Sequence, residues 1–370
     1  MSGWRNTVIA ALTVAGALTP SLSVAQLQPS TTFVGTLAAN RGSKAEQPSV
    51  FRLKVDGRAD DIMLSQCGSI APSALAKLLG DAVTLTGSFL GPASAKPGFC
   101  ATDIALQPPG LGDLGAGGQR GMQNSVVFRR RANGTIQAAV QADSTTVRTA
   151  DAVDSIVDAK VVDAGAVVHN DNSWTVWNGG QPARLSRTDD IIQLSRTGAV
   201  LRDGHAISIS GAAYDYSPFS EIRSLSANGE YMVWGPDSKI ACIYNEMRPD
   251  RNSRHIWAPL DHVKMVAAND KQGAALLMDG TVVVWDRLTQ AGLQLPRPTA
   301  PLRDIAAISA GDDYFLALTT SGTLIAWGNP VKGPFGLSGV VGVVASLGGG
   351  AVAAVLRNGD IMTWDPHSGG

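Results

Sequence analysis

The stretch DIAAISAGDDYFLALTTSGTLIAWG, residues 304–328, decides the fold because it encodes three short strands separated by two turns. A run of small and apolar residues opens it, and Asp312-Asp313 make a turn before a second apolar run. Ser321-Gly322 then forms a tight hairpin, where Gly tolerates a positive φ. A third apolar run ends at Trp327. The stretch therefore predicts one strand-turn-strand-turn-strand unit.

The turn and the tryptophan of this unit recur along the chain. A turn pair that usually ends in Gly, then an apolar run, then often Trp, returns at roughly 25–50 residues, which is typical of a repeat architecture. The copies at Gly134 and Gly198 are weaker than the others. The seven turn positions are Gly134, Asn172, Gly198, Gly229, Gly280, Gly322 and Gly359.

These units predict an all-β fold, a seven-bladed β-propeller. One three-stranded sheet cannot bury both of its faces alone, whereas sheets stacked radially around an axis can. A Trp at one place in each unit would fill the gap between neighbouring blades. A β-sandwich or β-helix with coincidental Asn-Gly turns is the alternative. The residues expected to serve the repeat structure are Trp177, Trp234, Gly280, Trp285, Gly311, Gly322, Trp327, Gly359 and Trp364.

The unit quoted above resembles the repeat of the regulator of chromosome condensation family, whose members form seven-bladed propellers. Ile308-Ser309-Ala310-Gly311 matches the family's opening apolar-small-small-Gly strand. Ser321-Gly322-Thr323 and Trp327-Gly328 match its Asp-Gly-Thr turn and its Trp-Gly pair, and Tyr314 stands where the family has His. Gly333 to Gly336 falls at the spacing of the family's closing tetrad. The resemblance is good over two or three units and looser elsewhere.

Residues 1–25 are predicted to be a signal peptide. Arg5 supplies positive charge, and Val8 to Leu18 is an apolar run too short to span a bilayer comfortably. Ser23-Val24-Ala25 fits the small-x-small cleavage rule, so the mature chain is expected to begin near Gln26. No later stretch is long and apolar enough for a membrane span. We therefore expect a periplasmic or secreted protein.

Residues 26–107 are predicted to form a small OB-like β-barrel. Alternation such as that in Val50 to Val55 predicts about five strands, with one helix over Pro72 to Leu79 between the third and fourth. That order resembles the OB-fold. A structural or docking role is expected, because aromatic residues that would stack on bases or sugars are scarce. Cys67 and Cys100 lie in this segment and either pair or stay reduced, since spacing alone does not decide between the two.

Residues 108–123 are predicted to be a Gly/Pro-rich linker, and 124–370 the propeller, because Pro and Gly disfavour both helix and strand ladder. Charged residues make up only 16% of the chain, with a formal net charge of −1. This balance argues against nucleic-acid binding and against a polybasic membrane anchor. The basic run Arg129-Arg130-Arg131 is expected to be a solvated strand end.

The sequence carries no motif for catalysis or for a metal, so no catalytic residue, cofactor or metal site is expected. The five histidines have no ligand spacing, and no Gly-x-Ser-x-Gly elbow occurs. Two excursions from the repeat, 212–220 and 236–262, hold aromatic and Arg residues of the types enriched at interface hot spots. The expected partner-binding residues are Tyr214, Tyr216, Phe219, Tyr244, Arg248, Arg254, His255 and Trp257.

We therefore expect an exported, monomeric binding protein whose propeller loops contact another protein. The resemblance implies one specific version, an inhibitor of an extracytoplasmic enzyme, because exported relatives of this propeller class include inhibitors of β-lactamase. Two alternatives stay open. One is a propeller enzyme of lyase or glycosidase type with its site at the channel mouth. The other is an envelope protein that binds glycans.

Overall fold

The protein is nearly all β over the residues described by its computed structural model. The predicted signal peptide lies outside them. The described residues are 30–40, 50–65, 67, 69–90, 98–109, 114–117, 125–133, 136–141, 147–150, 159–162, 166–169, 174–178, 181–185, 191–194, 198–201, 203–208, 216, 219–226, 228–243, 254–255, 260–286, 298–329, 331–345 and 352–367.

The first five strands form one antiparallel sheet, the N-terminal sheet, in the order β3-β2-β1-β4-β5. This sheet and the segment between β3 and β4 together are called the N-terminal unit. A parallel bridge between Leu64 and Phe99 joins its two edges, and a disulfide links Cys67 to Cys100. Helix α1 (Pro72–Lys77) lies between the third and fourth strands, as the alternation predicted. The OB-like barrel itself stays a prediction. The strands are β1 (Thr31–Asn40), β2 (Val50–Lys54), β3 (Ile62–Met63), β4 (Ala82–Phe89) and β5 (Phe99–Leu106).

The later described strands form seven further sheets, each built from consecutive strands. Sheet 1 contains β6 (Leu114–Gly117), β7 (Ser125–Arg130), β8 (Ile136–Gln141) and β9 (Val147–Ala150). Sheet 2 contains β10 (Ala159–Val162), β11 (Ala166–His169), β12 (Trp174–Asn178) and β13 (Gln181–Leu185). Sheet 3 contains β14 (Ile191–Leu194), β15 (Gly198–Leu201) and β16 (Ala206–Ser208). Sheet 4 contains β17 (Ser224–Leu225), β18 (Tyr231–Trp234), β19 (Lys239–Ile243) and β20 (Arg254–His255). Sheet 5 contains β21 (Val263–Ala268), β22 (Gln272–Leu277) and β23 (Val282–Asp286). Sheet 6 contains β24 (Ile305–Ala310), β25 (Tyr314–Thr319) and β26 (Leu324–Gly328). Sheet 7 contains β27 (Val340–Ala345), β28 (Val352–Leu356) and β29 (Ile361–Trp364).

The first strands of these sheets line a closed ring. β6, β10, β14, β17, β21, β24 and β27 contact one another in this order, and β27 contacts β6. Successive sheets therefore stand side by side around an axis, which makes the fold a β-propeller. This confirms the all-β propeller predicted from the repeat. The described strands make seven sheets, and the number of blades in the whole chain stays a prediction.

Apolar side chains pack between neighbouring sheets. Between sheets 5 and 6, Trp327 stacks on Phe315 with ring centroids 5.0 Å apart, and both pack with Leu276. Trp364 lies in the cluster between sheets 6 and 7, and Trp285 in the cluster between sheets 4 and 5. Each of these three tryptophans is buried, so each fills an inter-sheet gap. The side chain of Trp177, in β12, lies outside the described residues.

Three of the predicted turns occupy the same place in their sheets. Asp279-Gly280, Ser321-Gly322 and Asn358-Gly359 join the second strand to the third in sheets 5, 6 and 7. Their glycines have φ values of 83°, 85° and 84°, the left-handed region in which a Cβ is unfavourable. We call this end of the sheets the hairpin end. The opposite end, where the first strand turns into the second, is the turn end.

Two other predicted copies were assigned to the wrong place. Asn228-Gly229 lies between the first and second strands of sheet 4, and Gly198 begins the second strand of sheet 3. The hairpin of sheet 3 is instead Asp203-Gly204, where Asp203 accepts the backbone N–H of His205 at 2.9 Å. In sheet 4 the hairpin is Gly235 to Ser238. A residue pair that ends in Gly marks a tight turn, but it does not specify which two strands the turn joins.

Two expectations about the start of the propeller were also wrong. Strand β6 forms at Leu114–Gly117, inside the stretch predicted to exclude a ladder, and it pairs with β7. Its small residues suit an inner strand of the ring. Arg129 is buried rather than solvated, and its Nη2 lies 3.0 Å from Oδ2 of Asp81. Burial raises the pKa of Asp81, and the positive charges of Arg129 and Arg131 oppose that rise.

Candidate functional site

The turn end of sheet 4 is organised by Asn228, a buried side chain. Its Oδ1 accepts the hydroxyl of Ser226 at 2.6 Å and the backbone N–H of Glu230 at 3.2 Å. Its Nδ2 donates to Oε2 of Glu230 at 3.2 Å and to the backbone carbonyl of Asn269 at 3.4 Å. Asn269 belongs to the turn of sheet 5, so this one side chain joins the turns of two sheets.

Asn269 performs the same role between sheets 5 and 6. Its Oδ1 accepts the backbone N–H groups of Lys271 and Gln272, both at 2.9 Å. Its Nδ2 donates to the carbonyl of Gly311, in the turn of sheet 6, at 3.0 Å. Gln272 is fully buried and donates from Nε2 to Oδ1 of Asp286 at 2.9 Å. The turns of sheets 4, 5 and 6 thus share one buried polar layer, which fixes their relative positions.

The turn of sheet 6 carries a buried phenol among carboxylates. Nδ2 of Asn329 donates to Oδ2 of Asp313 at 2.7 Å and ties the turn to the end of β26. Tyr314 is 1% exposed. Burial raises its pKa above the ordinary value, and the carboxylates of Asp312, Asp313 and Asp365 raise it further. The hydroxyl therefore stays protonated near neutral pH, where it cannot act as a base.

Among the described side chains at the turn end, carboxyl groups outnumber basic groups. Asp270 is exposed, while the other surface carboxyl groups and two of the three basic groups are half-buried. A surface of this composition complements a partner that presents positive charge or hydrogen-bond donors. The carboxyl groups at this surface are Asp270, Asp286, Asp312, Asp313 and Asp365, and the basic side chains are Lys271, Lys332 and His367.

Two residues predicted to bind a partner are buried instead. Tyr216 is 2% exposed, and its hydroxyl donates to the carbonyl of Gly229 at 2.9 Å. Phe219 is 5% exposed and meets Trp234 edge-to-face, with ring centroids 5.1 Å apart. Both belong to the apolar cluster around sheets 3 and 4. Tyr216 therefore holds the turn of sheet 4, and Phe219 packs at the other end of β18. Their assignment to an exposed recognition surface was wrong.

The other six predicted partner-binding residues are not described at the level of side chains. Tyr214, Tyr244, Arg248 and Trp257 lie outside the described residues, as do the side chains of Arg254 and His255. The backbone nevertheless locates the strands on either side of residues 244–253. Ile243 pairs with Arg254, and Cys242, next to Ile243, pairs with Tyr231 directly after the turn of sheet 4. Residues 244–253 are therefore flanked by strand ends at the turn end.

Sequence reasoning missed the residues that build the polar layer. Asn269 and Gln272 match no catalytic or binding motif, and neither was singled out. A usable signal existed, because Asn228 and Asn269 each follow the first strand of their sheets within a few residues. Among the described residues, no group of three or more His, Cys, Asp or Glu side chains is placed to hold a metal ion. No helix in the described part of the chain is long and apolar enough to cross a membrane.

Sheet 6 and the segment after it, residues 305–333, match the regulator of chromosome condensation (RCC1) repeat. The matched residues include the turn of sheet 6, Trp327 and the inner strand β24. No curated protein matches the chain.

Solved propellers resemble the fold at low sequence identity. The CRINKLY WD40 ectodomain of the Arabidopsis thaliana receptor kinase ACR4 is 12% identical, with 69% of this chain and 97% of that chain covered and a TM-score of 0.45. Prp20p from Saccharomyces cerevisiae, a protein whose binding to Gsp1p and histones has been characterised, is 14% identical, with 70% and 81% covered and a TM-score of 0.43. Yeast RCC1 (Prp20) bound to Kap60 is 16% identical, with 70% and 79% covered and a TM-score of 0.42.

Proposed function

We propose that the protein is a binding protein whose partner, another protein, docks on the turn end of the propeller. The observation that carries this proposal is the buried polar layer centred on Asn228 and Asn269, which holds the turns of three adjacent sheets in fixed relative positions. A surface ordered before binding loses less conformational entropy when the partner arrives.

The N-terminal sheet supports the choice of this end. Its contacts with the propeller include the hairpin of sheet 7, where Lys77 pairs with Asp360 and Leu78 lies against Gly359. The described turns of sheets 4, 5 and 6 lie at the opposite end of the sheets. A partner can therefore reach the turn end without displacing the N-terminal sheet.

The composition of the turn end defines the kind of partner. Exposed and half-buried carboxyl groups favour a partner surface with lysine or arginine. The predicted contact residues Tyr244 and Arg248 fall in 244–253, whose flanking strand ends lie at this same end. An enzyme of the same compartment, inhibited by the contact, is the specific partner class suggested by the resemblance described above.

Paired charge reversals on sheet 5 test the proposal. The full chain is used to capture proteins from the native cell envelope, and the affinity of the captured partner is then measured by calorimetry. Asp270→Lys changes the turn end, and the matched control Asp261→Lys changes an exposed carboxyl group at the hairpin end. We expect Asp270→Lys to weaken binding about tenfold or more and Asp261→Lys to leave it unchanged. Equal affinities for the two variants would contradict docking at the turn end.

The second part of the proposal is that the protein is exported. The N-terminal pattern of Arg5, an apolar run and a small-x-small site supports it, and the disulfide between Cys67 and Cys100 suits an oxidising compartment. N-terminal sequencing of the protein from the extracytoplasmic fraction is expected to start near Gln26. Recovery of the intact chain from the cytoplasm alone would refute export.

A further inference from the structure

The ring of sheets has one junction that differs from the rest. Sheets that follow each other in the chain are tied by the covalent segment between them. Sheets 1 and 7 meet through the contact of β27 with β6, but they are the first and the last of the seven sheets along the chain. In the described strands each sheet is built from consecutive strands, so sheets 1 and 7 share none. Without another tie, closing this junction carries the entropy cost of a very long loop.

The N-terminal unit contacts sheet 1 at this junction. Nη2 of Arg129, in β7, lies 3.0 Å from Oδ2 of Asp81. The backbone N–H of Asn133, in the hairpin after β7, donates to the carbonyl of Gly80 at 2.9 Å. Nη1 of Arg131 donates to the carbonyl of Leu79 at 3.2 Å. The segment from residue 79 to residue 81 therefore binds the hairpin end of sheet 1.

The same unit contacts sheet 7 with the neighbouring residues of its own chain. Leu106, the last residue of β5, donates its backbone N–H to the carbonyl of Arg357 at 2.8 Å. Nζ of Lys77 lies 3.0 Å from Oδ1 of Asp360. Leu78 covers the hairpin so closely that a Cβ added at Gly359 would lie 2.8 Å from its Cδ2. Residues 77–81 thus run from one side of the junction to the other.

A common apolar core lies beneath these polar contacts. The cluster that contains Leu78 and Leu37 of the N-terminal unit also contains Val127 of sheet 1 and Val344 and Val355 of sheet 7. The side chains of Asp81 and Arg129 are 3% and 2% exposed, so the ion pair is desolvated. Removing one partner of a desolvated ion pair strongly destabilises a protein, because the other charge is left buried without compensation.

We propose that the N-terminal unit is the clasp of the propeller, which holds sheets 1 and 7 together and whose release opens the ring at that junction first. The Asp81–Arg129 pair and the residue 77–81 segment are its contact points. The clasp is a conformational property of the fold and is independent of which partner the turn end binds.

Hydrogen exchange on the full chain, followed by mass spectrometry, tests the clasp. Asp81→Asn is expected to raise exchange in β6 and β27 by about a hundredfold or more, because it removes the carboxylate that pairs with the buried Arg129. Exchange in β21 and β24, which lie away from the junction, is expected to stay unchanged. The matched control Asp61→Asn removes the 2.9 Å pair with Arg52 inside the N-terminal sheet, and β6 and β27 are expected to stay protected.

Two results would overturn the clasp. In one, Asp81→Asn raises exchange within β1 to β5 while β6 and β27 stay protected, which means that the ring closes without the N-terminal sheet. In the other, exchange rises equally in every sheet. If Asp81→Asn does not fold, Lys77→Ala replaces it, because the Lys77–Asp360 pair is exposed. It is expected to raise exchange in β27 about two- to fivefold. An equal rise in β21 and β24, or no rise in β27, would then reject the proposal.

Discussion

The chain uses Asn-Gly followed by an acidic residue twice, and the two copies lie at opposite ends of their sheets. Asn228-Gly229-Glu230 joins the first and second strands of sheet 4, and Asn358-Gly359-Asp360 joins the second and third strands of sheet 7. Asn228 and Glu230 are buried, whereas Asn358 is exposed. Both turns contain the same local bond, from the backbone N–H two residues later to the Asn Oδ1, at 3.2 Å and 3.1 Å.

The difference lies in what the asparagines contact beyond their own turns. Nδ2 of Asn228 reaches the backbone carbonyl of Asn269 in sheet 5. Nδ2 of Asn358 donates instead to the carboxylate of Asp360, two residues away in the same turn, at 2.8 Å. Identical local chemistry therefore serves inter-sheet bonding at one end and simple chain reversal at the other. The predictions below probe that contrast.

The largest expected effect concerns the tryptophan that follows each turn. Trp364 is 5% exposed and packs between sheets 6 and 7, whereas Trp234 is half-buried at the end of β18. We expect Trp364→Ala to lower the free energy of unfolding by about 3–5 kcal/mol, because it leaves a large cavity between sheets. Trp234→Ala is expected to cost about half as much. Urea denaturation of both variants measures the difference, and equal losses would mean that the two tryptophans are equivalent.

The asparagines themselves are expected to differ next. Asn228→Ala removes the partner of Ser226 and of two backbone groups in a buried place, so we expect a loss of about 2–3 kcal/mol. Asn358→Ala removes an exposed turn bond, and the expected loss is about 0.5 kcal/mol. The same denaturation experiment compares them. A cost for Asn358→Ala as large as that for Asn228→Ala would remove the distinction between the two ends.

The smallest effect is a pH dependence within the hairpin end. Asp279 occupies in sheet 5 the place of Asn358 in sheet 7, and its pKa is lowered mainly by the hydrogen bond from the backbone N–H of Thr281. A lowered folded pKa contributes stability above the unfolded value, and this contribution is lost as pH falls through the folded value. We therefore expect Asp279→Asn to lose less stability on acidification than the natural chain.

The melting temperature at about pH 6 and about pH 3 measures this effect. An identical acid-induced drop in the natural chain and Asp279→Asn would show that the turn bond does not favour the ionised form.

Much of the architecture could be predicted because it depends on short stretches of adjacent residues. The turn at Ser321-Gly322 and the apolar runs on each side need only neighbouring residues, and the same window matches the RCC1 repeat. Strand β6 was missed because its Gly-rich sequence has little strand propensity of its own. It pairs with β7 and contacts β27, which is far away in the chain.

The candidate site was less accessible to sequence reasoning. Tyr216 and Phe219 have the side chains of interface residues, but the same rings also fill a core, and the adjoining sheets bury them. Arg129 looked like a solvated charge because its partner, Asp81, lies 48 residues earlier. Burial and partners of this kind depend on contacts between distant segments.

By itself the sequence determined that this is an all-β propeller with tight Gly-containing turns, because strand alternation and positive φ are properties of a few adjacent residues. The tertiary structure alone decided which end of a sheet each turn occupies, which asparagines link neighbouring sheets, and that Arg129 pairs with Asp81. The physical reason is desolvation: the same polar side chain contributes little when water surrounds it and much when packing removes the water.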